Sequence, residues 1–448
     1  MTGSGPTPLR RWFASISNTG IMEAQTGTMA DEGAVDKRRA IEALRAGVPN
    51  RDAVRYLGSS QPAIEDRFRG QLAGVKEGID RETSVPGLLV AGDFGSGKSH
   101  LLEYFQHVAL EENFVCSKVV ISKETPLYDP AKVYQAAMQS AKVPGRKGPA
   151  LPEIALKLGA TFNSPEYAEF FDWLNGPDNG LNSRFAATMF VFQHARSAPE
   201  VQDQIIRFWA GSRLAVADVR RWLRDSGEAV TYRIDQVPAK MLALQRYSFA
   251  PRLMVAAGFS GWVILIDEVE LIGRYSLPQR ARSYAELARW MGKLEGEETP
   301  RIAAVLAITA QFESAVLDER NDEETVPGRL RTRGGDESLL VATQAERGMR
   351  IIRRDRVRLD PPTSSTISAI HDLVRDLHAV AYEWDPPRGF TSGDRSHTIR
   401  QHVKRWINEW DLKRLYDHVP DTEIQDVRET YTENRDFETP PEETENDK

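Results

Sequence analysis

Short runs of consecutive aliphatic residues, separated by long stretches with helical spacing, organise this 448-residue chain. Runs of this kind are typical of strands that are buried on both faces, and they predict strands at 85–91, 118–122, 262–266 and 302–308. Residues 133–259 carry apolar positions at helical spacing broken by Gly and Pro, which predicts a large helical insertion. The pattern therefore predicts an α/β fold with a parallel sheet sandwiched by helices.

Helical patterns also flank the predicted sheet. Residues 34–77 have the apolar spacing of helices, and we expect them to belong to a main domain over 34–362. A long apolar stripe followed by a second helical pattern predicts a C-terminal helical lid domain over 363–420. Apolar residues mixed with arginines over 349–359 predict a basic, strand-like segment between the two.

Composition changes this picture mainly at the two ends of the chain. Residues 1–33 are rich in Gly, Ser and Thr, and we expect a disordered N-terminal segment without a signal peptide. Residues 421–448 contain eleven acidic and three basic residues, which predicts an acidic disordered tail. Without that tail the net charge of −7 becomes +1, far from the strongly basic profile of a dedicated nucleic-acid binder.

Two further features favour a cytoplasmic protein without a membrane partner. No apolar run approaches the ~18 residues that span a bilayer. The single cysteine, Cys116, excludes an internal disulfide and is typical of a reducing compartment. It lies in an apolar run, where we expect buried packing rather than reactivity.

The loop after the first predicted strand matches the P-loop (Walker A) pattern G-x-x-x-x-G-K-[ST], and a helical pattern follows it. Backbone N–H groups of such a loop surround phosphate oxygens at the positive end of the helix. Lys98 would reach the β- and γ-phosphates of ATP, and Ser99 would hold Mg²⁺. The candidate ATP-binding residues are Gly92, Asp93, Phe94, Gly95, Ser96, Gly97, Lys98, Ser99 and His100.

A second nucleotide-binding signature, Walker B, ends the third predicted strand. Four aliphatic residues lead into Asp267 and Glu268, which would emerge at the carboxyl edge of the sheet, where open α/β sheets bind ligands. Asp267 would bind Mg²⁺ directly or through water. Glu268 would orient and deprotonate the attacking water. Together with the P-loop, these acids predict an ATPase.

The fourth predicted strand and the segments after it supply polar candidates. Thr309 or Gln311, at the strand end, would contact the γ-phosphate or the attacking water, although a simple polar strand terminus is an equal alternative. An arginine finger is expected among the arginines that follow, because a guanidinium offsets charge on the transferring phosphoryl group. Its candidates are Arg329, Arg331 and Arg333. These arginines, together with the cluster at 350–358, could supply the finger, or could equally bind DNA phosphates or form a solvated face.

The order of these motifs resembles AAA+ ATPases of the origin-recognition and helicase-loader type. Four stretches are also similar to the ATP-binding protein family BrxD of BREX bacteriophage-exclusion systems: 39–49, 92–102, 126–134 and 266–270. The resemblance implies a second sensor of nucleotide state at the start of a late lid helix. Arg400 is the best candidate for it, with Arg395 behind it.

The resemblance further implies a cytoplasmic ATPase of a defence island, with a helicase and a DNA methyltransferase among its partners. Assembly on DNA, or remodelling of DNA or of a helicase, and formation of a homo-oligomer are expectations from that analogy. The alternative is a nucleotide-gated scaffold in which ATP holds a partner-binding conformation and turnover is incidental. The helical insertion and the polar-ended fourth strand disfavour a small-molecule kinase.

Overall fold

The computed structural model describes residues 35–47, 54, 56–79, 83–146, 148–177, 179–195, 198–228, 231–387 and 398–416. The terminal segments predicted as disordered, 1–33 and 421–448, lie outside these ranges. The described residues form two compact units that divide the chain at Leu57/Gly58 and at Pro362/Thr363. Across the described residues, no helix combines the length and the apolarity needed to cross a bilayer.

The first unit, 58–362, is built on a parallel sheet whose strands are near-continuous aliphatic runs. The strands are β1 (Leu88–Gly92), β2 (Val115–Val120), β3 (Trp262–Asp267), β4 (Ile302–Thr309) and β5 (Val357–Arg358). Their order across the sheet is β2-β3-β4-β1-β5, and every neighbouring pair is parallel. The four strands expected from the sequence are confirmed, with small shifts at their ends.

Helices make up most of the described residues in the two units. The described helices are α1 (35–46), α2 (Pro62–Glu77), α3 (Lys98–Glu111), α4 (Pro130–Ser140), α5 (Ala150–Thr161), α6 (Pro165–Asn175), α7 (Arg184–His194), α8 (Pro199–Trp209), α9 (Val216–Asp225), α10 (Ala239–Ala256), α11 (Leu277–Trp290), α12 (Asp322–Arg333), α13 (Asp336–Arg354), α14 (Ser364–Tyr382) and α15 (Ile399–Tyr416). The predicted helical insertion is confirmed by α4–α10.

The two faces of the sheet bury alternate residues against different helices, as the strand period of two requires. Val90, Val263 and Val305 pack on one face together with α2 and α3. The residues one position along each strand pack on the other face, where the insertion and α11–α13 form the larger cluster. Helix α3, which follows the glycine loop, therefore covers one definite face of the strands that carry the candidate site.

The prediction of a basic, strand-like segment over 349–359 is wrong for most of its length. Helix α13 runs through Arg354, and only Val357–Arg358 pairs as a strand, on the outer side of β1. Met349, Ile351 and Ile352 are buried, whereas Arg350 and Arg354 are exposed. The short segment mixes apolar residues and arginines in a way that fits either a strand or a helix, and tertiary packing decides for the helix.

The second unit combines α1 with α14 and α15. Its core contains Ile41 from α1 together with Val374 and Ile407 from the C-terminal helices. Arg38 Nε donates to the Ala381 carbonyl at 3.1 Å, and the Arg45 guanidinium pairs with the Asp411 carboxylate. Helix α1, which the sequence places in a main domain over 34–362, thus makes its contacts with the C-terminal helices.

Candidate nucleotide-binding site

The loop 92–97 joins the end of β1 to the first turn of α3, and two glycines determine its shape. Gly97 caps α3 with φ +103° and ψ 12°, a left-handed conformation that side chains with a Cβ rarely adopt. A Cβ on Gly92 would lie 2.5 Å from the Ser96 hydroxyl, so any larger residue there would displace the Ser96 side chain. The result is a tight turn that opens directly onto a helix N-terminus.

Lys98 lies inside this turn and is 9% exposed. Its ammonium group donates to the carbonyl of Gly92 at 2.9 Å and to the carbonyl of Asp93 at 3.3 Å. An ammonium group has three donors, so Lys98 carries more hydrogen-bonding capacity than these two contacts use. A buried lysine held by loop carbonyls is a concentrated positive charge at the mouth of the turn, which favours an anion there.

The other loop side chains divide by exposure. Asp93 and Phe94 are exposed, whereas the Ser96 hydroxyl is buried and has no hydrogen-bond partner among the described residues. A buried hydroxyl without a partner is uncommon in folded proteins, and a ligand oxygen would satisfy it. The Ser96 hydroxyl and the Lys98 ammonium therefore both fit a phosphate in this loop.

His100 makes a different contact. Its Nε2 lies 2.8 Å from the carbonyl of Gly58, which requires the nitrogen to donate, and burial lowers the pKa of the imidazole. The neutral ring thus fastens the first turn of α3 to residue 58, and its expected role toward ATP stays a prediction. Sequence reasoning missed this partner, because nothing in the local pattern around Gly58 marks it.

Thr309 is brought next to the glycine loop by the sheet. Strand β4 pairs with β1 so that Thr309 lies opposite Gly92, and Ala310 N donates to the Gly92 carbonyl at 3.1 Å. Thr309 is 5% exposed and shares the face of Val305, on which α3 packs. The neighbouring candidate, Gln311, is exposed. The register therefore favours Thr309 over Gln311 as the polar residue beside the loop.

Asp267 and Glu268 end β3, on the other side of β4. Asp267 is 4% exposed and shares the face of Leu265, on which α3 packs. Its Oδ1 accepts the backbone N–H of Glu268 at 3.0 Å. Glu268 is half-buried and has φ +63°, so the chain turns sharply where the strand ends. Sheet register and alternation thus bring Gly92, Thr309 and Asp267 to one face of the sheet's carboxyl edge.

Ser99 and Asp267 can be tested as Mg²⁺ ligands by their own chemistry. Among the described residues there is no group of three or more His, Cys, Asp or Glu side chains that could hold a metal. Mg²⁺ bound with nucleotides uses one or two protein oxygens together with phosphates and water. Asp267 supplies a carboxylate oxygen at the end of β3, and Ser99 supplies a hydroxyl oxygen in the first turn of α3. Both oxygens fit a hard cation.

The arginine-finger candidates lie on α12 rather than in a loop. Arg329, Arg331 and Arg333 are all exposed, and Arg331 Nη2 forms an ion pair with Glu346 at 2.7 Å. Which of them serves as a finger stays a prediction. The cluster at 350–358 is engaged differently, because Arg353 pairs with Glu313, Asp318 and Glu323.

These ion pairs help to choose between the three roles considered for the cluster at 350–358: an arginine finger, a contact with DNA phosphates, or a solvated face. Arg356 also pairs with Glu313. Acidic side chains therefore already neutralise two arginines of the cluster, Arg353 and Arg356. The contacts favour an internal ion-pair network over a surface reserved for DNA phosphates.

Arg400 belongs to the second unit, at the start of α15. Its side chain packs near the turn at Gly47, where a Cβ would lie 3.5 Å from Arg400 Cδ. The side chain is half-buried. Arg395, the alternative sensor, lies outside the described residues. The sensor role of Arg400 stays a prediction.

Comparison with known proteins gives one match. A family model described as "BREX system ATP-binding protein BrxC/D" matches residues 34–158 and 244–408, which together make up more than half of the chain. The two matched stretches include the glycine loop, Asp267-Glu268 and Thr309, and they omit residues 159–243 of the helical insertion. No curated protein and no solved structure matches the chain.

Proposed function

This chain belongs to the BREX system ATP-binding protein BrxC/D family, and from that premise we propose that it binds ATP at the loop 92–99 and hydrolyses it. One observation carries the proposal. Strand β4 lies between the strand that ends in the loop and the strand that ends in Asp267-Glu268, so that a polar residue stands between them. This order supports a P-loop NTPase of the AAA+ kind.

ATP binding follows from the chemistry of the loop. The phosphates would accept backbone N–H groups at the start of α3, where the helix dipole favours negative charge. Lys98 would exchange its contacts with the carbonyls of Gly92 and Asp93 for oxygens of the β- and γ-phosphates. The Ser96 hydroxyl would gain an acceptor that it lacks among the described residues.

Hydrolysis requires a positioned water and a base. The water oxygen attacks the γ-phosphorus, the bond from that phosphorus to the β–γ bridging oxygen breaks, and the products are ADP and phosphate. Glu268 would accept the proton of the water, and Thr309 would hold the water or the γ-phosphate. Ser99 and Asp267 would hold Mg²⁺, which neutralises charge on the phosphate oxygens when it is bound.

The proposal also covers what this turnover is used for. The family name supports an ATP-binding role in a defence system. We infer that turnover drives assembly on, or remodelling of, DNA or a helicase partner, with Arg400 and one of Arg329, Arg331 or Arg333 sensing the nucleotide or a neighbouring copy. A scaffold that binds ATP with little turnover is the competing function.

Two variants, together with phosphate release measured with and without DNA, test the proposal. Lys98→Ala should lose affinity for a fluorescent ATP analogue, whereas Glu268→Gln should retain affinity and lose phosphate release. Unchanged affinity in Lys98→Ala would refute the assignment of the loop. Phosphate release measured with and without DNA separates the two functions, since stimulation supports remodelling, and tight binding without turnover in the wild type supports the scaffold.

A further inference from the structure

Two chain segments leave the carboxyl edge of the sheet beside the candidate site. A 3-10 helix, Val269–Arg274, follows Glu268 directly. The chain after Thr309 passes through a π-helix, Glu313–Asp318, and enters α12 at Asp322. The sheet itself aligns β3 with β4, so contacts between these two segments bear on the backbone that follows each strand, including the turn at Glu268.

A buried ion pair links the two segments. Arg280, on α11, is 3% exposed, and Asp322, at the start of α12, is 0% exposed. Arg280 Nε donates to Asp322 Oδ2 at 2.9 Å, and Arg280 Nη2 donates to Oδ1 at 3.1 Å. The Tyr284 hydroxyl donates to Oδ2 at 2.8 Å. The carboxylate is therefore held by three donors, two of which belong to one guanidinium in the two-point geometry that favours arginine over lysine.

The guanidinium groups of Arg280 and Arg320 hold the backbone that follows Glu268. Arg280 Nη1 donates to the carbonyl of Tyr275 at 2.7 Å, just beyond the 3-10 helix. Arg320 Nη1 donates to the carbonyl of Gly273 at 2.6 Å, near the end of that helix. At its other end, Leu271 N donates to the Glu268 carbonyl at 3.1 Å. The segment is thus fixed at both ends, with Glu268 at the first of them.

Glu268 needs such support. Its φ of +63° is sparsely populated for a residue with a side chain, and conformations of this kind persist when the surroundings determine them. A buried ion pair is seldom required for stability, since apolar residues of similar volume often replace it without loss. The fixed geometry of the ion pair can instead serve to position the Glu268 carboxylate. Position matters there because a displacement of about 1 Å can slow a reaction by about 100-fold.

We propose that the Arg280–Asp322 ion pair, with Arg320, positions Glu268 for hydrolysis. This inference rests on the proposed function, in which Glu268 is the base. Arg280 and Asp322 are positioning residues, since they act through the 3-10 helix and not on the nucleotide. Their effect should therefore fall on turnover rather than on nucleotide affinity.

The first test removes both charges at once with R280M/D322L in the full chain. We expect phosphate release to fall by about 100-fold, while the dissociation constant of a fluorescent ATP analogue changes by less than about threefold. The matched control is E286L/R289M, which removes another ion pair of α11 whose arginine packs against Tyr247 and Trp290 instead. The control should retain turnover. A folded R280M/D322L with wild-type turnover would overturn the inference.

A second variant keeps the inference testable if R280M/D322L does not fold. Arg320→Gln removes the donor to Gly273 from a side chain that is 23% exposed, so folding should persist. We expect phosphate release to fall by about tenfold and nucleotide affinity to stay unchanged. Wild-type turnover in a folded Arg320→Gln would count against the inference, and a loss of affinity equal to the loss of turnover would do the same.

A combined variant distinguishes positioning from general damage. If the ion pair acts through Glu268, adding R280M/D322L to Glu268→Gln should not slow the residual turnover further. Adding Arg320→Gln to Glu268→Gln should likewise leave the residual turnover unchanged. A further large decrease would overturn the inference. If the wild type binds ATP and releases no phosphate, the proposed hydrolysis is refuted, and the inference with it. If the wild type releases phosphate and the variants do so at the same rate, the inference alone is refuted.

Discussion

Replacing Gly97 with alanine tests the loop through its backbone alone. Gly97 has φ +103°, and a Cβ added there would meet nothing within 4 Å, so the substitution introduces no clash within the protein. The penalty is conformational, about 1–2 kcal/mol for a side chain in left-handed backbone. In the free protein the alanine loop can relax, and nucleotide binding then has to restore the strained shape. We therefore expect ATP to bind about 5- to 30-fold more weakly.

Gly258→Ala is the matched control. Gly258 has φ +86°, is exposed and also has open space around the position of a Cβ, but it follows α10 rather than the candidate site. Its strain should lower the melting temperature by a few degrees, roughly 2–4 °C per kcal/mol, and leave nucleotide affinity unchanged. Titration of a fluorescent ATP analogue into both variants decides the matter. Wild-type affinity in Gly97→Ala would refute the claim that binding needs this left-handed turn.

Three further predictions follow from the described contacts. Thr309→Val keeps the shape of the residue opposite Gly92 and removes its hydroxyl, so phosphate release should fall by about 10- to 100-fold with affinity retained; an unchanged rate would exclude a role for the hydroxyl. Burial lowers the pKa of His378 despite its bond to Asp411, so the folded state disfavours the proton that the unfolded chain accepts. Stability should therefore begin to decrease as the pH falls through about 6.5 and continue to decrease below it, and the melting temperature of His378→Asn should depend less on pH in that range; an equal dependence would contradict this. Arg353→Ala should lower the melting temperature without altering salt-dependent DNA retention, because its guanidinium is engaged by three acidic side chains; a selective loss of DNA retention would indicate a phosphate contact.

The sequence predicts the parts of this fold that local chemistry determines. Strands β3 and β4 are recognisable because a strand buried on both faces must be aliphatic throughout. The loop 92–99 is recognisable because glycines and a lysine at this spacing meet a specific steric and electrostatic need. Likewise, the placement of Thr309 beside the loop follows once a polar-ended strand is expected between the two motifs.

What the sequence does not predict depends on distant partners. The end of α13, residues 349–354, is typical of a strand by sequence, because a short mixture of apolar residues and arginines fits both periods, and packing against the rest of the unit decides for the helix. Arg280 and Asp322 lie 42 residues apart, and each resembles an ordinary charged residue of a helix. Only the fold shows that both are buried and paired. In the same way, no local signal connects α1 with α14 and α15.

That last connection has a consequence for how the chain is made and cut. The ion pair between Arg45 and Asp411 joins residues 366 positions apart, so α1 leaves the ribosome long before the helices that bury Ile41 exist. During synthesis the first unit can complete its sheet while the apolar side of α1 is still exposed to solvent. A fragment that ends at 362 would keep α1 in that uncovered state permanently. The cleanly folding fragment of the nucleotide-binding unit should therefore begin at residue 58 and not at residue 1.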